Sequence, residues 1–415
     1  MGGLDNSGAR RRAHGLFAGL VAACVANAEA AGTPVTAAGY VVLHQFQKPD
    51  GYGAYPELVQ AADGTLYGTG YFGGDQDAGT VFSIKPTGQF AFAALHTFAT
   101  SDGLAPATGL ALGSDGDFYG LTAGGGAGSA GTAFRISAGG AFTTLHSFVA
   151  AQEGAYAYLG KLVQAADGNF YGANQQGGPA GFGTLFRMTP AGQVSVLHAF
   201  AGGAADGATP RGGMMLASDG FLYGTTLCGG VARKTNGCGG TLYRLNPRNG
   251  VTNLIYRFGP SDAPQAALTE LDGFLYGTTS AGGDSRHGSI FKLALAGHAV
   301  TTLHSFAGGV RAASPNGDGA VPMGKLLVAS DGKLYGTTSQ GGANASTDPN
   351  GDGIVFRITP AGVYSIVHTF GSGAGDSARP YAGLIQGRDG NLYGVAHNGA
   401  YQSEGTVFRL ALPTK

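Results

Sequence analysis

The string Asp-Gly-x-Leu/Phe-Tyr-Gly begins at Asp63, Asp115, Asp167, Asp219, Asp272, Asp331 and Asp389, at intervals of 52, 52, 52, 53, 59 and 58 residues. Two further strings keep step with it. Gly-Thr-x-Phe and its variants recur around Phe82, Phe134, Phe186, Tyr243, Phe291, Phe356 and Phe408, and Leu-His-x-Phe and its variants end at Phe46, Phe98, Phe148, Phe200, Phe258, Phe306 and Phe370. A unit repeated at this period is one supersecondary structure that buries its apolar face only against copies of itself.

Each unit reads as four short strands. In the first, Glu57 to Ala61, Thr65 to Thr69, Thr80 to Ile84 and Phe92 to Phe98 are β-rich runs bounded by turn signals. Asp-Gly suits a tight hairpin between the first two, and Pro86-Thr87-Gly88 turns the third into the fourth. Four strands in about 50 residues is the pattern of a propeller blade. The expectation is therefore an all-β, seven-bladed β-propeller of four-stranded blades. The strand Tyr40 to Phe46 precedes the first complete unit and the last unit stops after its third strand, so the N-terminal strand should complete the last blade and remove an open edge.

Composition fits this frame. Glycine (78) and proline (17) together approach a quarter of the 415 residues, but they sit at fixed places in the repeat, which makes them structural. With 24 basic and 25 acidic residues there is no basic excess for nucleic acid and no charge block for a membrane surface.

Residues 1–28 read as a secretory signal peptide: Arg10, Arg11 and Arg12 precede an apolar run from Leu16, followed by Ala26-Asn27-Ala28. Residues 29–39 are expected as a short linker and 40–415 as the propeller. No later run reaches the roughly 20 apolar residues of a membrane helix. The expected location is secreted, periplasmic or cell-surface. In the alternative, Val21-Ala22-Ala23-Cys24 is a lipobox and Cys24 anchors a lipoprotein.

The order Leu66-Tyr67-Gly68-Thr69, Gly73-Gly74, Gly79-Thr80-Val81-Phe82 and Leu95-His96-Thr97-Phe98, repeated over residues 40 to 412, resembles the GloVer tandem repeat of secreted bacterial propeller-like proteins. The resemblance implies architecture and export, and no activity. Anchored members carry a C-terminal sorting segment and none is read before Lys415, so anchoring is expected only if Cys24 is lipidated.

In a four-stranded blade the Asp-Gly turns lie on one face of the disc, whereas the Gly-Gly loops and inter-blade connections share the other. That second face holds the length variation, which is where binding residues usually sit. Its recurring acids Asp50, Asp102, Glu153, Asp206, Asp262, Asp318 and Asp376 either cap turns or form a ring for cations or polar ligands. The histidines His44, His96, His146, His198, His304 and His368 fall on different blades and are expected to pack rather than to converge on one ion.

Blade six carries Pro-Asn-Gly-Asp-Gly twice, and Asp348-x-Asn350-x-Asp352-Gly353 has the first half of a calcium loop. The second half is absent, so Ca2+ there would need Asp318 or main-chain oxygens; the alternative is a polar loop. Cys228 and Cys238 bracket the enlarged loop of blade four and are expected to form a disulfide in an exported protein.

The function expected is a binding or scaffold propeller, without a required cofactor and monomeric, presenting one loop face to a glycan, small molecule or extracellular protein. The alternative is a propeller enzyme, a glycan lyase or hydrolase using acids near the channel. The absence of Trp disfavours quinone-dependent dehydrogenases with Trp-bearing blades and removes the strongest sugar-stacking side chain, leaving Tyr in that role.

Overall fold

The computed structural model describes residues 39–230, 239–308, 317–342, 351–371, 377–397 and 404–412. The chain divides into two units, Met1–Thr33 and Pro34–Lys415, and all described residues belong to the second. That unit is a seven-bladed β-propeller: seven separate four-stranded antiparallel sheets succeed one another around a ring. Blade one runs Val59–Gln60, Leu66–Gly70, Thr80–Ile84 and Phe92–Thr97 from the centre outward. Blades two to six span 111–147, 163–199, 207–257, 269–305 and 327–369.

Blade seven takes Ile385–Gln386, Leu392–Ala396 and Thr406–Leu410 from the end of the chain and Tyr40–Gln45 from its beginning. The N-terminal strand runs antiparallel to the last, with Tyr40 opposite Leu410 and Gln45 opposite Thr406. Closure by the strand the repeat count left unpaired is thus the observed topology. It puts Leu43 and Phe46 in a core with Leu66, Phe82 and Tyr393, so the join between blades seven and one is packed like the others.

Each core lies between two neighbouring sheets. Tyr67 of blade one stacks on Phe118 of blade two at 4.2 Å, beside Val81, Phe98, Phe134 and Ile136. Two glycines explain the repeated strings. A Cβ on Gly68 would meet the Phe82 ring of its own sheet at 2.5 Å, so this glycine makes room for the aromatic ring on the paired strand. This close approach is within a blade. Gly79 adopts φ +104, and a Cβ there would strike Pro106 of the next blade at 2.3 Å. That one does set blade-to-blade spacing.

The Asp-Gly turns have two forms. In blade five Leu271 pairs with Phe274, and Asp272 and Gly273 both have positive φ, the two-residue hairpin. In blade one Gln60 pairs with Leu66, which leaves a longer turn with only Gly64 left-handed. The repeated Tyr reaches back to the turn: Tyr119, Tyr171, Tyr223, Tyr335 and Tyr393 donate their hydroxyls to the Asp four residues earlier at 2.7 to 2.9 Å. A buried Tyr hydroxyl needs a partner, and the motif supplies one. Burial and the Asp115 carboxylate together push the Tyr119 phenol up to about 12.

Candidate functional site

The recurring loop-face acids are joined to the recurring histidines. His44 contacts Asp50 at 3.1 Å, His96 Asp102 at 3.2 Å, His146 Glu153 at 2.9 Å, His198 Asp206 at 3.3 Å and His304 Asp318 at 3.0 Å. Each of these carboxylates also accepts a backbone N–H from the connection that follows the outer strand, as from Ala99 to Asp102 and Ala307 to Asp318. In blade four, where Tyr256 replaces His, Asp262 keeps the backbone bond from Gly259. The carbonyls of Asp50, Asp102 and Glu153 accept the hydroxyls of Thr80, Thr132 and Thr184 in the next blade. Each acid therefore latches one blade to its successor. Asp376 lies outside the described residues.

The imidazoles also bridge blades by stacking. His44 lies on Phe92 at 3.8 Å, His96 on Phe142 at 3.7 Å and His304 on Tyr364 at 4.0 Å, all within 5° of parallel. A bulge in every outer-strand pair, such as the shift between Val81 and Phe82, sets the facing of these rings. Burial lowers the pKa of His44 and His96, against the opposing pull of Asp50 and Asp102.

Of the expected blade-six cation ligands, Asp348 and Asn350 lie outside the described residues. Asp352 is buried, and the Asp318 carboxylate is held by His304 and Ala307. Among the described residues no three His, Cys, Asp or Glu side chains gather as a metal site. Cys228 stands in the strand Leu222–Gly229, and Cys238 lies outside the described residues.

The inner rim of the loop face is where the blades stop resembling one another. Gly53, Ala105, Tyr156, Thr209, Ala263, Val321 and Arg379, one from each blade, all have φ between 53° and 64°. A left-handed residue other than Gly costs about 1–2 kcal/mol. The conformation is held because six of these residues donate their N–H to a carbonyl of the preceding blade, as Ala105 does to Ala78 and Thr209 to Phe182. The reversal turns the chain down the channel, and Pro follows it in five blades. The inner strands therefore pair over only two residues in most blades, and the segments before them form the channel wall.

That wall encloses about 640 Å³ with residues from all seven blades. The sixth residue before each repeated Asp is Glu57, Gly109, Lys161, Gly213, Lys325 and Gly383, with Ala267 standing in for it in the shorter blade five. Three charges thus break the symmetry. Lys161 pairs with Glu57 at 3.3 Å. Lys325 has its pKa lowered by burial and by Lys161, against the pull of Glu57, burial being the largest effect.

Two residues further up, at the loop-face end, stand Tyr55, Arg211, Gln265 and Tyr381. Tyr55 is the centre of an aromatic cluster, with Tyr71 at 5.3 Å, Tyr158 at 5.9 Å, Tyr381 at 5.4 Å and His397 at 4.7 Å. All five rings are half-buried. Arg211 lies over the Tyr158 ring at 4.7 Å and donates to Gln265 at 2.7 Å. Its Nε is buried without a hydrogen-bond partner. Burial and the neighbouring phenols push the Tyr55 pKa well up, so it is a neutral donor at physiological pH. None of these residues belongs to a recurring string. The available signal was the reverse: aligned on Asp-Gly, they occupy the columns in which the repeats disagree.

The Gloeobacter/Verrucomicrobia repeat model matches residues 6–236 and 214–415. The chain belongs to that repeat family. No curated protein matches it. Among solved structures it is similar to the extracellular domain of a protein assigned as a hybrid two-component system from B. thetaiotaomicron, with TM-score 0.60 and 8% identity. That match covers 91% of this chain and 40% of the other, so the chain spans well under half of that relative. An oligogalacturonate lyase in complex with manganese matches with TM-score 0.56 and 11% identity over 92% and 96% of the two chains. A protein assigned as a 6-phosphogluconolactonase from Bacteroides uniformis matches with TM-score 0.52 and 15% identity over 80% and 88%. At these identities the likeness is one of fold. Among the described residues no helix is long and apolar enough to cross a membrane.

Proposed function

We propose that this protein is an exported binding propeller that takes a sugar at the loop-face end of its central channel. One observation carries the reading: a ring that repeats its packing and latches from blade to blade places five half-buried aromatic rings, Arg211 and Gln265 together at one mouth of the channel. Half-exposed Tyr rings offer apolar faces to the C–H face of a pyranose while their hydroxyls and amide groups meet its oxygens. A cavity of about 640 Å³ suits a mono- or disaccharide. The extracellular-domain neighbour supports export.

Hydrolysis by paired carboxylates is poorly supported. Two carboxyl groups must flank the bond, and among the described wall residues Glu57 alone is acidic and is ion-paired to Lys161. A Cys228–Cys238 disulfide and a blade-six calcium ion on Asp348, Asn350 and Asp352 belong to the same extracellular reading. Mass spectrometry before and after reduction tests the first, and a calcium-dependent rise in melting temperature tests the second.

The sugar-binding reading is tested on an array of immobilised glycans, comparing the wild type with Tyr55→Ala and Tyr381→Ala. Wild-type retention that both variants lose supports the channel mouth. Retention unchanged in both variants, or no retention at all, overturns it.

A further inference from the structure

The charges beneath the aromatic mouth narrow what can enter, and we infer that the channel ligand is a sugar acid, a pyranose carrying a carboxylate. This rests on the sugar-binding reading of the same site. The wall holds two ammonium groups against one carboxylate: Glu57 is taken by Lys161 at 3.3 Å, and Lys325 has no hydrogen bond or ion pair of its own among the described residues. An ammonium removed from water without an ion pair of its own is unfavourable, and the wall holds one more ammonium group than carboxylates.

A ligand carboxylate resolves this. It forms a charge-assisted bond to Lys325 Nζ while its ring stays among Tyr55, Tyr381 and Gln265, which line the same cavity. Arg211, joined to Gln265 and with an unpartnered buried Nε, adds positive potential at that end. A neutral sugar satisfies the rings and leaves Lys325 as it was. The separation of labour is therefore aromatic rings for the pyranose and Lys325 for its acid.

Calorimetric titration of the full chain with methyl glucuronide and methyl glucoside tests this. The uronide is expected to bind at least about tenfold tighter at low salt, with the preference shrinking as salt rises. Lys325→Met should bring the two ligands to about equal affinity, whereas Lys325→Arg should keep the preference. Equal affinities in the wild type, or a preference that survives Lys325→Met, overturn the sugar-acid inference and leave the sugar-binding reading standing. Binding of neither ligand overturns both. If Lys325→Met fails to fold, the wild-type comparison and its salt dependence still decide.

Discussion

Tyr40, the first residue of the N-terminal strand, stacks on His368 of blade six with ring centroids 4.4 Å apart and planes 6° from parallel. Elsewhere the same contact joins His96 to Phe142 and His304 to Tyr364, each across one blade boundary. The ring is thus sealed by an ordinary copy of its own inter-blade contact. Tyr40 also lies against Phe370 and Phe408 and shares a 2.7 Å hydrogen bond with Ser377.

Tyr40→Ala should therefore lower unfolding free energy by about 2 kcal/mol in denaturant titration. Val363→Ala, at a position 55% exposed, should change it by no more than about 0.5 kcal/mol. A chain starting at Gln47 leaves Thr406–Leu410 as an open edge and should dimerise or aggregate. A stable monomer of that chain would contradict closure by this strand.

Stability should fall on mild acidification. Burial lowers the pKa of His44 and His96 in the fold, while in the unfolded chain each binds a proton near pH 6.5. The unfolded state thus holds more protons between the folded pKa and about 6.5, so the stabilisation is complete above that range and lost as pH falls through it. Denaturant midpoints should drop between about pH 7 and pH 5, and the double variant His44→Gln, His96→Gln should show a flatter slope there. Hydrogen bonds from Thr65 hold the Asp63 carboxyl below its usual value, so its effect appears only below about pH 4. An identical slope in the double variant would show that other groups carry the dependence.

Val321 is a β-branched residue at φ 56° on the channel rim. Val321→Gly removes a left-handed penalty of about 1–2 kcal/mol and adds unfolded-chain entropy of about 0.4–1 kcal/mol. The balance is a gain of about 0 to 1.6 kcal/mol, read as a raised melting temperature. Destabilisation would mean that the Val321 side chain contributes more by packing than its backbone conformation costs.

What was legible in the sequence follows from repetition. Asp115 and Tyr119 are seven-fold features because the turn and the buried hydroxyl recur in most blades, and His96 with Asp102 recurs because every blade must be latched to the next. Strand count and closure could therefore be read directly. The partner of Gly68 was not legible, since spacing along the chain does not distinguish a ring on the paired strand from one on the next blade. The channel site was not legible by the same route. Tyr55, Lys161, Arg211, Lys325 and Tyr381 each occur in one or two units, so a search for similarity passes over them. The proposed sugar site thus lies in the columns that the fold leaves free to vary.

The most direct test of that claim is saturation-transfer NMR with the tyrosine ring protons irradiated in the presence of methyl glucuronide. With no Trp in the chain, ring irradiation excites chiefly Tyr, Phe and His. The account predicts transfer to the sugar ring protons that disappears in Tyr55→Ala, Tyr381→Ala while the melting temperature stays within a few degrees. Transfer of equal strength in that double variant, or none in the wild type, would contradict a sugar site at the mouth of the channel.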